Sequence, residues 1–139
     1  MQVTRTTPAA PDELWRWVSD VEHWADLLPT MRSVIRTDGD GPVGLGDRFA
    51  VKATGLPLAT YEITDWQPGR TFTWVASAPG VRTTASHEME PTDNGSVMTL
   101  GIAWSGPLAW LAGLLLGAKA GRMVQQEADT FVQLAEHAD

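Results

Sequence analysis

The chain contains no cysteine, which excludes disulfides, thiolate zinc sites and cysteine nucleophiles. Basic residues are scarce: 10 Lys and Arg stand against 17 Asp and Glu, a formal net charge of −7, and no two basic residues are adjacent. Contact with phosphate needs a clustered cationic face, so this balance argues against a nucleic-acid binder. The three histidines, at 23, 87 and 137, are too dispersed to form a metal-ligand cluster. Long hydrophobic runs are also missing. The best candidate, Pro107 to Ala118 (PLAWLAGLLLGA), offers twelve uncharged residues before Lys119 and Arg122, whereas a spanning helix needs ~20. It reads as a buried helix, with a surface-docking helix as the alternative, and stable membrane insertion is not expected. The opening MQVTRTTPAAPDELW lacks a charged segment followed by an apolar run, so no signal peptide is expected. A soluble cytoplasmic protein is the default expectation.

What is present is enough apolar material for one core. The chain has 139 residues, 43% of them hydrophobic and 19% charged, which fits one domain over 1–139, since domains most often hold ~100–150 residues. After a short extended stretch at Gln2–Thr6, Pro11 stands where a helix starts, and Asp12-Glu13 places acid on the first turn. Leu14, Trp15, Trp17, Val18 and Val21 continue with helical spacing, and a second helical piece near Glu22–Leu28 stops at Pro29. From there the period changes to two. Met31–Thr37, Asp47–Ala53, Leu58–Trp66, Thr71–Ser77, Val81–Glu90 and Ser96–Ser105 read as strands separated by Gly- or Pro-containing turns. Asp93-Asn94-Gly95 is the strongest hairpin signal, because Asn-Gly suits two residues at positive φ. One long helix, about Pro107 to Ala135, closes the chain. This order predicts an α+β fold: an antiparallel sheet covered on one face by a helix.

Several local patterns carry a family resemblance. Pro11-Asp12-Glu13-Leu14-Trp15 with Val18-Ser19-Asp20, Trp24 and Leu28-Pro29 forms an opening helix pair. Gly44-Leu45-Gly46-Asp47-Arg48-Phe49 leads into a strand rather than a helix, so it is no nucleotide loop. Pro68-Gly69-Arg70-Thr71-Phe72-Thr73-Trp74 and His87-Glu88-Met89-Glu90-Pro91 with Gly95-Ser96 belong to later hairpins. In this order the motifs resemble the START-like (SRPBCC) superfamily, the polyketide cyclase/dehydrase and lipid-transport group. The resemblance covers nearly the whole chain. It implies the helix-grip fold, a curved seven-stranded antiparallel sheet around a long C-terminal helix, with two short helices after the first strand and a hydrophobic cavity between sheet and helix.

Alternation selects the side chains that face inward. They are Phe49 and Val51; Tyr61 and Ile63; Phe72 and Trp74; Thr83, Ala85 and His87; and Met98, Leu100, Ile102 and Trp104. This mostly apolar set suits a pocket for a hydrophobic small-molecule ligand, although a filled core is the alternative. Seven Trp residues favour a cavity, as so much bulk is hard to pack in one interior. Ala109, Gly113, Gly117 and Gly121 form a stripe four residues apart on the last helix. Gly inside a helix costs ~1 kcal/mol against Ala. Three explanations offset that: close packing (a homodimer included), space for ligand at Gly113 and Gly117, or a break in the helix.

His87 and Tyr61 are the candidate catalytic residues, with Asp65 or Thr83 as candidate partners. A histidine titrating near neutrality moves a proton in enolisation, aldol closure or dehydration, and a tyrosine hydroxyl stabilises an enolate oxygen. The resemblance implies cofactor-free cyclisation or dehydration of a polyketide-like intermediate. Its alternative is non-catalytic binding or transport of a lipid or isoprenoid. The protein is expected as a monomer or homodimer.

Overall fold

The computed structural model describes residues 1–137. Strand β1 (Gln2–Thr7) is followed by α1 (Pro11–Val18), a 3-10 turn (Val21–His23) and α2 (Trp24–Leu27). Then come β2 (Met31–Asp38), β3 (Arg48–Ala53), β4 (Ala59–Gln67), β5 (Thr71–Ala78), β6 (Val81–Thr92), β7 (Gly95–Ser105) and α3 (Ala109–His137). All seven strands form one antiparallel sheet in the order β1-β7-β6-β5-β4-β3-β2. The meander puts sequence neighbours side by side, and β1 returns to pair with β7. The curved sheet and long C-terminal helix are the expected architecture, with each strand within two residues of its predicted limits.

Helix α1 starts where its sequence dictates. Pro11 occupies the first turn, and the Glu13 carboxylate accepts a hydrogen bond from the Ala10 backbone N–H at 3.1 Å. Leu14 and Val18 face the core, and Ser19 caps the end by bonding the Trp15 carbonyl at 2.6 Å. The predicted second helix is split: Val21–His23 is 3-10 and only Trp24–Leu27 is α-helical. The exposed His23 sits on the Asp20 carboxylate at 2.6 Å, which raises its pKa.

Two details differ from expectation. The β6–β7 turn is Asp93-Asn94, because Thr92 pairs with Gly95, and no residue but glycine has positive φ among the described residues. Gly95 is required for another reason. At φ +152°, any Cβ there would lie 2.1 Å from the Thr7 carbonyl oxygen, where the β1–α1 link crosses the hairpin. The second difference is in α3. The 107–118 run is not buried: Trp110, Leu114 and Leu115 are 67%, 74% and 66% exposed, and full burial begins only at Ala120. From there Val124, Ala128, Phe131 and Ala135 pack into the sheet. No helix among the described residues is long and apolar enough to cross a membrane.

The glycine stripe is resolved by the same geometry. Helix α3 runs unbroken through Gly113, Gly117 and Gly121. A Cβ at Gly113 or Gly117 would meet nothing within 4 Å, so neither serves close packing within the chain. At Gly121 the sulfur of Met1 lies 3.3 Å from such a Cβ. Gly113→Ala and Gly117→Ala should therefore each raise stability by up to ~1 kcal/mol, the propensity difference alone. Thermal and urea unfolding of the two variants checks this, and a loss of stability at either position would show a contact that requires glycine.

Candidate functional site in the cavity between sheet and helix

The inner face of the sheet and the core-facing side of α3 enclose an aromatic cluster. Trp24 of α2 is 1% exposed and lies within 6 Å, centroid to centroid, of Phe72, Trp74, His87 and Phe131. Its indole N–H donates to the Trp17 carbonyl at 3.3 Å, which ties α2 to the end of α1. Beside Trp24 remains a cavity of about 50 Å³. Of the seven Trp residues only Trp24 and Trp74 are buried, and Trp110 is exposed.

Of the predicted ligand-binding residues, Val51, Trp74, Ala85, Leu100 and Ile102 line the cavity, together with Tyr61 and His87. Phe49, Ile63, Phe72 and Met98 face inward but are fully buried in the core and do not reach the cavity wall. Thr83 and Trp104 pair with each other near the far end of β6 and β7, half-buried and away from it. Gly113 and Gly117 lie on the projecting half of α3, also outside it. Asp65 joins neither His87 nor Tyr61. A bulge between Ile63 and Asp65 breaks the alternation of β4, and the Asp65 carboxylate accepts from the Gln67 amide at 3.1 Å.

Sequence reasoning missed the opposite wall. Trp24 and Met31 close one side, Leu56 and Pro57 of the β3–β4 link another, and Met123, Val124 and Glu127 of α3 the third. Glu127 is the consequential omission. It is 5% exposed, and its signal was available: it sits on the stripe Ala120, Val124, Glu127, Phe131, all buried. An acid on an otherwise apolar helical stripe is the anomaly to look for.

The polar atoms of this wall have few partners. The His87 ring stacks on Phe72, with centroids 4.0 Å apart and planes 10° apart. Its Nδ1 is 3.0 Å from the Phe72 carbonyl oxygen. A carbonyl only accepts, so Nδ1 carries the hydrogen and Nε2 presents its lone pair. Burial lowers the His87 pKa to about 4, against the raising effect of the Phe72 carbonyl. The near-neutral titration expected of His87 is thereby corrected: the ring is neutral throughout the physiological range. Burial raises the Glu127 carboxyl to about 8, although the Thr30 hydroxyl, 3.5 Å from Oε2, lowers it slightly. Burial, and then the negative potential of Glu127, pushes the Tyr61 phenol to about 12. Among the described residues the cavity accordingly holds neutral His87, neutral Tyr61 and a protonated Glu127 at pH 7. No group of three or more His, Cys, Asp or Glu suited to a metal occurs among the described residues.

These shifts have opposite consequences for folding. Glu127 binds its proton more tightly folded than unfolded, so its contribution is greatest below its ordinary pKa of 4.5 and is lost as pH rises to about 8. His87 binds its proton less tightly folded, so stability falls as pH drops from 6.5 towards 4. Between 4.5 and 6.5 the two slopes oppose each other, and above 6.5 Glu127 acts without that opposition. The wild type should lose stability between pH 6.5 and 8 with a slope of up to ~1.4 kcal/mol per unit. Glu127→Gln should flatten that slope. The raised pKa of His23 adds a decline of the same sign that both proteins retain, so the difference between their denaturation profiles reads Glu127 alone.

Comparison with known proteins places the architecture. Residues 1–136 match the family described as polyketide cyclase / dehydrase and lipid transport. Among solved structures, protein MLL2253 from Mesorhizobium loti is similar over 100% of this chain and 98% of its own, at 20% identity and a TM-score of 0.72. Norcoclaurine synthase from Thalictrum flavum covers 100% and 87% at 15% identity, with a TM-score of 0.75. The di-domain ARO/CYC StfQ from the steffimycin biosynthetic pathway covers 97% of this chain and 48% of its own at 14% identity, with a TM-score of 0.72. No curated protein matches the chain in sequence. At these identities the structural likenesses establish the fold, and the match over residues 1–136 establishes the lineage: the chain belongs to the polyketide cyclase/dehydrase and lipid-transport family of START-like proteins.

Proposed function

We propose that the protein binds a hydrophobic small molecule between sheet and helix and promotes its cofactor-free cyclisation or dehydration, as for a polyketide-like biosynthetic intermediate. One observation carries this reading: an apolar cavity whose titratable side chains are Tyr61, His87 and Glu127, none of them ion-paired among the described residues. Apolar walls hold a carbon skeleton, and a few unpaired polar atoms fix its orientation. His87 Nε2 is the acceptor for a substrate proton, and the Tyr61 hydroxyl is a donor to a developing oxyanion. Family membership and the likeness to an ARO/CYC protein support the reaction class.

With its walls as they stand, a volume of about 50 Å³ is too small for a polyketide chain. Such a ligand enters only if the walls move; among the lining residues Pro57 is exposed and Leu56 and Met123 are half-buried, so these are the parts of the wall with room to give. The second reading is a non-catalytic carrier for a lipid or isoprenoid. It is favoured by the exposed apolar residues Leu58, Trp110, Leu114 and Leu115.

Two measurements separate the readings. Protein taken from its native host is compared by native and denaturing mass spectrometry. A retained fatty-acid or isoprenoid mass supports the carrier, and a fused-ring aromatic mass supports the cyclase. For a cyclase, His87→Gln and Tyr61→Phe should each cost ~tenfold or more in turnover while ligand affinity changes by less than about threefold. Unchanged turnover in both variants overturns the assignment of these two residues.

A further inference from the structure

The cavity contains an acid that the proposed roles of His87 and Tyr61 leave unused. Glu127 is delivered by the same stripe of α3 that buries Val124 and Phe131, so its side chain is held by helix packing and not by an ion pair. Its only hydrogen bond among the described residues is the long one from Thr30 at 3.5 Å. Neither its carboxyl oxygens nor His87 Nε2 is sealed against protein without a partner, as Trp17 Nε1 and Arg36 Nε are. A buried acid with so few neighbours is costly to keep unless something in the cavity uses it.

The surroundings of Glu127 are uncharged. Tyr61 from β4 and His87 from β6 are the other titratable groups on the cavity wall. Strands β2, β3 and β7 contribute Met31, Val51 and Leu100, and α2 contributes Trp24. On α3 itself, Lys119 and Arg122 line a separate surface groove with Thr30 and Met123. On the flank towards β1, Arg5 is paired with Asp129 and the Thr7 hydroxyl donates to Glu136. No cation reaches Glu127 among the described residues.

We propose that Glu127 and His87 form an acid–base pair in this cavity, with the Glu127 carboxyl group as general acid on the carbonyl oxygen of an apolar ketone and His87 Nε2 as the base for its α-proton. This rests on the proposed function and deepens it by naming the substrate group and the proton donor. In the step, the bond from the α-carbon to hydrogen breaks and its proton goes to Nε2. The released electron pair forms the carbon–carbon double bond, and the carbonyl π pair takes the Glu127 proton. The products are a neutral enol, an imidazolium and a carboxylate, and return of both protons restores the pair. Tyr61 donates a second hydrogen bond to the same oxygen. Burial pushes the two titrations apart, which leaves the acid protonated and the base free in the same pH range.

The test uses acetone, the smallest ketone with α-hydrogens, in D2O with the full chain. Proton NMR follows α-hydrogen exchange, and the shifts of the Trp24 and Trp74 indole signals report binding. Exchange should exceed the buffer rate, falling below pH about 4 as His87 protonates and above pH about 8 as Glu127 ionises. Glu127→Gln should reduce exchange ~tenfold or more and remove the alkaline limb, and Glu127→Asp should restore that limb. Because the wild-type profile needs no variant, a folding defect in either substitution cannot mask the result. If His87→Gln abolishes exchange but Glu127→Gln keeps both rate and alkaline limb, the role of Glu127 is overturned and the proposed function stands. Binding without exchange overturns the pair and favours the carrier. Absence of binding overturns the ketone assignment, and the retained-ligand spectrum then judges the binding function separately.

Discussion

The position of one indole sets most of what this interior can do. Trp24 comes from a helix of four residues, too short to hold itself, and is locked instead by its ring contacts and its bond to the Trp17 carbonyl. It touches the sheet through Phe72, Trp74 and His87 and the long helix through Phe131. Offset and edge-to-face ring pairs of this kind contribute ~0.5–1.5 kcal/mol each beyond the area they bury. Their geometry also holds the sheet and α3 a fixed distance apart. The cavity is the space Trp24 does not fill, so the size of that space and core stability are coupled through the same ring.

The second constraint is dielectric. A chain with a formal charge of −7 keeps an uncharged centre, because moving an ion into apolar surroundings costs more than shifting its pKa. The same burial acts on His87 and Glu127 in opposite directions, and each ends in its neutral form. An ordinary core would resolve this by replacing both with apolar residues, since buried polar groups with incomplete hydrogen bonding weaken the fold. Their retention next to open volume fits a site in which a ligand completes the hydrogen bonding.

Much of the fold was legible in the sequence because its signals are local. Period-two alternation in β3, β5 and β7 and the Gly- or Pro-bearing turns fix strands and order without knowledge of any contact. The failures came where a distant group decides. Gly95 looked like a turn residue, yet its lack of a side chain serves Thr7 and Pro8, some 90 positions earlier. Alternation put Thr83 and Trp104 on the correct face, but distance along the strands, which a face assignment does not encode, takes them away from the cavity. Glu127 was missed because period-two alternation selects strand faces only, and this acid reaches the wall from α3 beside Met123 and Val124. The Trp count carried no information about space, because only Trp24 and Trp74 of the seven are buried.

Low identity beside close structural agreement shows how little the fold asks of the identity of its inward residues. A sheet wrapped on a helix tolerates any inward set of suitable volume, so chains at 14–20% identity reach the same architecture. What that tolerance does not supply is the placement of an acid on α3 and an imidazole on β6 within one small cavity. Those positions follow from the helix stripe and the strand register, which the packing already holds rigid. An acid and an imidazole carried on such elements are preorganised, and the β3–β4 link adds only Leu56 and Pro57 to the wall. On the proposed function, specificity depends on the few side chains that stand in the remaining space, with Trp24 limiting its size and Glu127 and His87 giving it polarity.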